Sequence, residues 1–279
     1  MPSIANKRQS FRRLHEAGCF VLPNPWDVGT ARYLQHLGFK AVATTSAGFA
    51  FSQGRPDNAV PRDMMLAHIR EIVEATDLPV NADFEGGYAH APEGVAESVR
   101  LCVETGVAGL SIEDSTGDAA KPLYDLDDAV ARIRAARRAM DQAGGGVMLV
   151  GRAEGFIVGR PDLDDAIRRL RAYSAAGADC LYAPGIRTRE EISAVVEAVA
   201  PKPVNLLVGF ASELTVDDIA ALGVRRVSVG GALARSAWGG FMRAAKTIAE
   251  AGRFDGFAGT PPNAELNALF RDDLARRSS

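Results

Sequence analysis

The sequence predicts a single (β/α)8 barrel, and three observations predict it. Short apolar runs alternate with amphipathic stretches, the pattern of parallel βα units, and eight such units can be counted, the number that closes a barrel. No G-x-G-x-x-G follows the first run, which argues against an open doubly wound sheet. The 279 residues, 47% hydrophobic and 24% charged, can bury a large globular core, and although length alone leaves one or two domains open, α/β barrels of about 250 residues fold as one.

The elements follow in order. A helix is expected near residues 4–17. The first run, 19–22 (CFVL), leads through Pro23, Asn24, Pro25 and Trp26 to a helix over 28–37 that Asp27 can N-cap. The second, 41–44, precedes a Gly- and Pro-containing loop and a helix over 61–75 with Pro in its first turn. The third, 79–83, precedes a helix over 92–105; the fourth, 109–113, precedes a longer loop and a helix over 126–142. The fifth, 147–152, is followed by a helix over 163–176, with Gly177 placed to cap its end. The last three units pair 180–183 with 189–200, 204–208 with 216–222, and 226–229 with 232–252. The tail, 254–279, exceeds what a barrel requires. Its Leu266, Leu269, Phe270 and Leu274 form one face of a short helix that needs a surface to cover, on the barrel itself or on a neighbouring subunit.

Composition excludes several partners. A net charge of −3 and a pI near 5.9 give no electrostatic reason for a nucleic acid or an anionic membrane. Arg132, Arg134, Arg137 and Arg138 sit at helical spacing among Ala and acids and read as a solvated helix face. Cys19, Cys102 and Cys180 are widely spaced in apolar stretches and read as buried reduced thiols. With neither a signal-peptide core nor an apolar run of membrane-spanning length, the protein is expected to be soluble and cytoplasmic.

Barrel enzymes work at the C-terminal ends of their strands, and here those ends are acidic. Asp83 and Glu85 end the third strand, and Glu113 ends the neighbouring fourth. Unit charges a few ångström apart repel by roughly 4 kcal/mol even at an effective dielectric near 20. Three converging carboxylates therefore call for a cation, and the all-oxygen donor set favours Mg²⁺, with Mn²⁺ as the alternative, over Zn²⁺. The competing reading is that these acids cap helices or pair with Arg152. Arg152, ending the fifth strand, can grip a substrate carboxylate or bridge within the acidic cluster. In the loop over 45–57, the backbone N–H groups of Ser46 and Ala47 can face an oxyanion. Val229-Gly230-Gly231 resembles a phosphate cradle, but the seventh strand supplies no matching Gly-rich loop. His15, His36, His68 and His90 fall mostly away from strand ends, so His-based nucleophilic catalysis is not indicated.

Taken in order, PNPWDVGTARYLQHLGF, TTSAGFAFSQGRPD, NADFEGGY, SIEDS, GRAEGF, GADCLYAPG and RVSVGGALAR make the chain resemble the isocitrate lyase / phosphoenolpyruvate mutase superfamily over nearly its whole length. The resemblance implies Asp83 as direct metal ligand, Glu85 as a ligand directly or through water, and Glu113 in the same shell. It implies Arg152, Ser46 and Ala47 as substrate-carboxylate binders and Asp57 as an acid of the site. Members bind α-oxo acids or their enolates with Mg²⁺. They make or break C–C bonds, or act on bonds to phosphorus. The isocitrate and methylisocitrate lyases carry a K-K-C-G segment after the fourth strand, whose Cys is the catalytic acid or base. Here residues 115–124 read STGDAAKPLY without a Cys, and Pro184 stands where the mutase places a His.

The expectation is a Mg²⁺-dependent lyase that cleaves a C–C bond in a small 2-oxo or 2-hydroxy dicarboxylate, as an oxaloacetate decarboxylase or a substituted-malate lyase does. Lys121 or Tyr124 would shuttle the proton from a loop able to close over the site. The rivals are a phosphoenolpyruvate- or phosphonopyruvate-type mutase or hydrolase, and an inactive barrel that binds a small acid or a protein. A homodimer or homotetramer exchanging C-terminal helices is also expected, as the amphipathic tail and the resemblance suggest.

Overall fold

The computed structural model describes residues 2–278. Eight strands form one parallel sheet: β1 (Phe20–Leu22), β2 (Val42–Ala43), β3 (Val80–Asp83), β4 (Gly109–Glu113), β5 (Met148–Arg152), β6 (Cys180–Tyr182), β7 (Val204–Leu207) and β8 (Arg226–Ser228). From β2 to β8 each strand pairs with the next in sequence, and β8 pairs with β1, with Phe20 opposite Arg226. Between β1 and β2 the Ala43 N–H donates to the Pro23 carbonyl at 3.0 Å, which nearly closes the barrel.

Around the sheet lie α1 (Ile4–Leu14), α2 (Val28–His36), α3 (Ser46–Ser52), α4 (Arg62–Ala75), α5 (Pro92–Glu104), α6 (Leu126–Ala143), α7 (Leu163–Ala175), α8 (Arg189–Val199), α9 (Val216–Ala221), α10 (Ala232–Ala251) and α11 (Asn263–Ser278), with a short 3₁₀ turn, Asp255–Phe257, before α11. Local chemistry sets several starts. Asp27 caps α2 by accepting the Thr30 N–H at 2.7 Å, while Thr188 and Thr215 form capping boxes on α8 and α9. Pro61 precedes α4 as its N-cap.

Two large apolar zones and a small one of Val150, Cys180 and Tyr182 hold the barrel. The largest lies between strands and helices and includes Ile69, Ile72, Val99, Ile133, Leu149 and Leu170. The second plugs the N-terminal ends of the strands, where Phe11 of α1 packs among Phe20, Ala41, Ala108 and Met148. With the floor sealed, the C-terminal ends are left open to a ligand.

Three expectations are corrected. The stretch after β2 is not all loop, because Thr45 caps α3 by accepting the Gly48 N–H at 3.2 Å. Arg132 is no part of a solvated face, for its side chain is buried and its guanidinium donates to carbonyls of the β3–α5 loop. Cys19 is only half-buried, although Cys102 and Cys180 are buried and all three are free. Among the described residues, no helix is long and apolar enough to cross a membrane.

The two C-terminal helices dock differently. In α10 only Ala234 is buried, and Trp238, Phe241, Met242 and Ile248 are exposed. The tail helix α11 lies against α2, where buried Asp273 accepts from Arg277 at 2.8 Å and pairs with Arg32 at 3.4 Å. Of its expected apolar face, Leu269 and Phe270 are half-buried while Leu266 and Leu274 are exposed.

Candidate active site

The strand ends meet at Arg152. Its Nη1 lies 3.1 Å from Asp83 Oδ1 and 3.2 Å from Glu113 Oε2, so β3, β4 and β5 are tied at the mouth. Nε and Nη2 both turn to Glu154, the latter at 3.1 Å. Burial opposes the guanidinium charge, yet Glu154, Glu113 and Asp83 outweigh it and hold Arg152 firmly protonated. The site therefore carries its own counter-charge, the competing reading of the sequence. Among the described residues no three acids stand close enough to form a ready-made metal cluster.

Asp83 is fixed on every side. Its N–H donates to Thr44 Oγ1 at 2.9 Å, and its Oδ2 accepts from both the backbone N–H and the hydroxyl of Ser46 at 3.0 Å. That hydroxyl is also 3.4 Å from Asp57 Oδ1, which brings the acid of the second loop into the group. Ser46 thus spends its N–H on Asp83, and Ala47 follows it in the first turn of α3 beside the same cavity.

Glu85 differs. Its backbone takes φ 47°, a strained left-handed conformation, and its Oε1 is buried with no hydrogen bond of ordinary geometry, the equally unsatisfied Tyr88 hydroxyl being the one donor beside the carboxyl. Burial first and the charge of Asp83 second push its carboxyl up to about 7. Glu113 is raised well above the usual carboxylate range, chiefly by burial, which neighbouring acids reinforce and Arg152 opposes. A buried, poorly satisfied carboxylate oxygen beside two more hard oxygen donors fits a divalent cation.

Two cavities flank this ladder. One of about 210 Å³ is lined by Ser46, Asp57, Asp83 and Arg152 and descends into the barrel. The other, about 220 Å³, is lined by Glu85, Glu113, His90 and Tyr124 beneath the β4–α6 loop. Tyr124 is thus brought to the site, with its hydroxyl 2.5 Å from His90 Nδ1 and its ring 4.1 Å from the Arg132 guanidinium. Lys121 is not: its exposed ammonium pairs with Asp125 at 2.6 Å. The loop itself folds back, with Ser115 bridged to Leu123 and the Thr116 N–H donating to Pro122 O at 3.0 Å.

Several residues escaped sequence reasoning. Glu154 anchors Arg152, and only its place two residues beyond the strand-end arginine could have flagged it. Asp114 receives the Glu154 N–H at 2.7 Å and Arg169 Nη1 at 3.1 Å, which makes it a brace and not a ligand. Arg132 donates to Ala89 O at 2.6 Å, to His90 O at 2.5 Å and to Gly86 O, stapling the loop that carries Glu85. A Cβ on Gly86 would stand 3.1 Å from that guanidinium, so the glycine permits the approach. The N–H groups of Val229 and Gly230 donate to Asn24 Oδ1 at 3.0 and 2.9 Å, so they are already committed where a phosphate cradle would need them.

Known proteins carry the same architecture. The model of the phosphoenolpyruvate phosphomutase family matches residues 11–249. An oxaloacetate decarboxylase of Paraburkholderia xenovorans is 31% identical over 230 residues, covering 79% of this chain and 74% of that protein. The crystal structure of a candidate lyase/mutase from Burkholderia cenocepacia J2315 superposes with a TM-score of 0.92 at 50% identity, covering 96% of both chains. An oxaloacetate acetylhydrolase bound to its product oxalate gives 0.85 at 27% identity over 99% of both chains. A phosphonopyruvate hydrolase bound to oxalate and Mg²⁺ gives 0.84 at 26% identity over 97% of both.

Proposed function

The chain belongs to the phosphoenolpyruvate phosphomutase family, and from this we propose that it is a Mg²⁺-dependent lyase that cleaves a C–C bond in a small 2-oxo or 2-hydroxy dicarboxylate, of the oxaloacetate decarboxylase or substituted-malate lyase type. The observation that carries the reading is the set of acids tied at the mouth by one arginine, with the poorly satisfied Glu85 oxygen beside it.

Asp83, Glu85 and Glu113 would hold the cation, Mg²⁺ or alternatively Mn²⁺. When bound, it supplies Lewis-acid stabilisation of the negative charge that develops on the 2-oxo oxygen as the bond breaks. Arg152 and the first turn of α3, at Ser46 and Ala47, bind the substrate carboxylate, with Asp57 orienting Ser46. Of the two loop residues expected to move the proton, we assign Tyr124, hydrogen-bonded to His90 beside Glu113, and leave Lys121 at the surface. The exposed apolar face of α10 supports a homo-oligomer that exchanges C-terminal helices.

Turnover of oxaloacetate, substituted malates and phosphonopyruvate with Mg²⁺ tests the assignment. Release of pyruvate or a 2-oxo acid from the carbon substrates, abolished by EDTA, is expected. Turnover of phosphonopyruvate alone would sink it in favour of phosphorus chemistry.

A further inference from the structure

Barrel interiors are usually filled by branched apolar side chains, but here, beside Val150 and Leu207, the interior also holds Asn81, Asn205 and a guanidinium. Arg226, the first residue of β8, is 2% exposed and lines the floor of the 210 Å³ cavity whose rim carries Asp83 and Arg152. Its Nε donates to Asn205 Oδ1 at 2.7 Å and its Nη1 to Asn81 Oδ1 at 3.3 Å, while Asn205 donates in turn to Ser228 Oγ at 2.9 Å. These partners are all neutral. Among the described residues no carboxylate forms an ion pair with it, in contrast to Arg152 and Arg169. Taking an unpaired cation out of water costs several kcal/mol, and amide oxygens offset only part of that. Burial accordingly pulls the arginine below its ordinary range.

We propose that Arg226, with Asn81, Asn205 and Ser228, forms a second carboxylate subsite on the barrel floor, which takes the far carboxylate of a dicarboxylate whose 2-oxo or 2-hydroxy end sits at Asp83 and Arg152. The subsite rests on the reading of the rim proposed above. The spans agree. Asn81, which the Arg226 guanidinium meets at 3.3 Å, stands two residues before the rim's Asp83 on β3, roughly 6.6 Å. The carboxyl carbons of an extended four-carbon diacid are roughly 3.8 Å apart, the three-bond span of consecutive Cα atoms, and hydrogen bonds at its two ends cover the remainder. The subsite would select diacids over monocarboxylates, because only a second carboxylate neutralises the buried cation.

Calorimetric binding of oxalate and of malate to the Mg²⁺-loaded protein and to its Arg226→Gln and Arg226→Met variants separates the two levels. Oxalate reaches the rim alone, whereas malate spans to the floor. The variants are expected to lose about 10- to 100-fold in malate affinity, the scale of a charged hydrogen-bonded pair, and to keep oxalate within about threefold. Equal losses for both ligands, or none for malate, would overturn the subsite. Failure of oxalate to bind the unaltered protein would instead overturn the reading of the rim. Should both variants misfold, the crystal structure of the unaltered protein with malate decides: a carboxylate on the Arg226 guanidinium upholds the subsite, and one placed elsewhere refutes it.

Discussion

At the scale of single residues, the site is a competition for Arg152. Asp83 and Glu113 share one of its nitrogens while Glu154 takes the opposite edge, so a cation entering among the acids competes with an internal one. Replacing Asp83 with Ala also leaves the Ser46 N–H without its acceptor and the Ser46 hydroxyl with Asp57 alone. We expect Asp83→Ala to lower kcat by at least about 10²- to 10³-fold with the melting transition kept, as read from steady-state assays beside a thermal melt. Glu85 gives a pH dependence with a definite sign. Its carboxyl, raised to about 7, is protonated below that pH, and the proton and the metal contend for the same oxygens. Mg²⁺ affinity should therefore climb with pH up to about 7, and Glu85→Gln should reduce the slope by about one proton. Magnesium titrations between pH 5.5 and 8.5 would read this, and an unchanged slope in the variant would count against Glu85 as a ligand. The acids themselves were legible in the sequence, because strand ends can be located from apolar runs. Which cation neutralises them was not, since the reach of a side chain depends on packing.

At the scale of elements, the β3–α5 loop holds its shape through α6. Arg132 offers its donors to Gly86, Ala89 and His90 and stacks on Tyr124, so one buried side chain positions both the loop of Glu85 and the tyrosine opposite. Arg132→Met leaves those carbonyls unpaired, for which we expect a loss of about 2–4 kcal/mol in urea unfolding together with weaker Mg²⁺ binding. Periodicity placed Arg132 on a helix but could not tell its inner face from its outer one, because a buried arginine breaks the apolar stripe that marks the inside. At the sealed end, His15 caps α1 against Phe11 and Phe20, and burial first, with Arg226 second, lowers its imidazole to about 3. The folded protein thus keeps it neutral where the unfolded chain, with a pKa of about 6.5, protonates it. Its contribution is fully present above that value and is lost as the pH falls towards 3. Relative to His15→Gln, the native protein should lose about 1.4 kcal/mol per pH unit across that window, as measured by denaturant melts from pH 4 to 7. Parallel curves would refute it.

At the scale of the whole molecule, the barrel covers its floor with α1 but leaves α10 projecting an apolar face with Phe241 63% and Met242 61% exposed. Truncation after Gly252 should lower the mass of the assembly, while the full chain should run as a dimer or tetramer in light scattering; a monomeric full chain would refute helix exchange. The sequence by itself determined the eight-fold alternation, the helix cap at Asp27 and the acidic strand ends, because these rest on local periodicity and on neighbours within a few residues. Only the tertiary structure decided that Arg152 bridges acids from three elements, that Tyr124 faces the site while Lys121 does not, and that Arg226 meets only neutral side chains on the barrel floor among the described residues. Those facts depend on which side chains meet when distant strands close a ring, and contacts across a barrel leave no periodic trace along the chain.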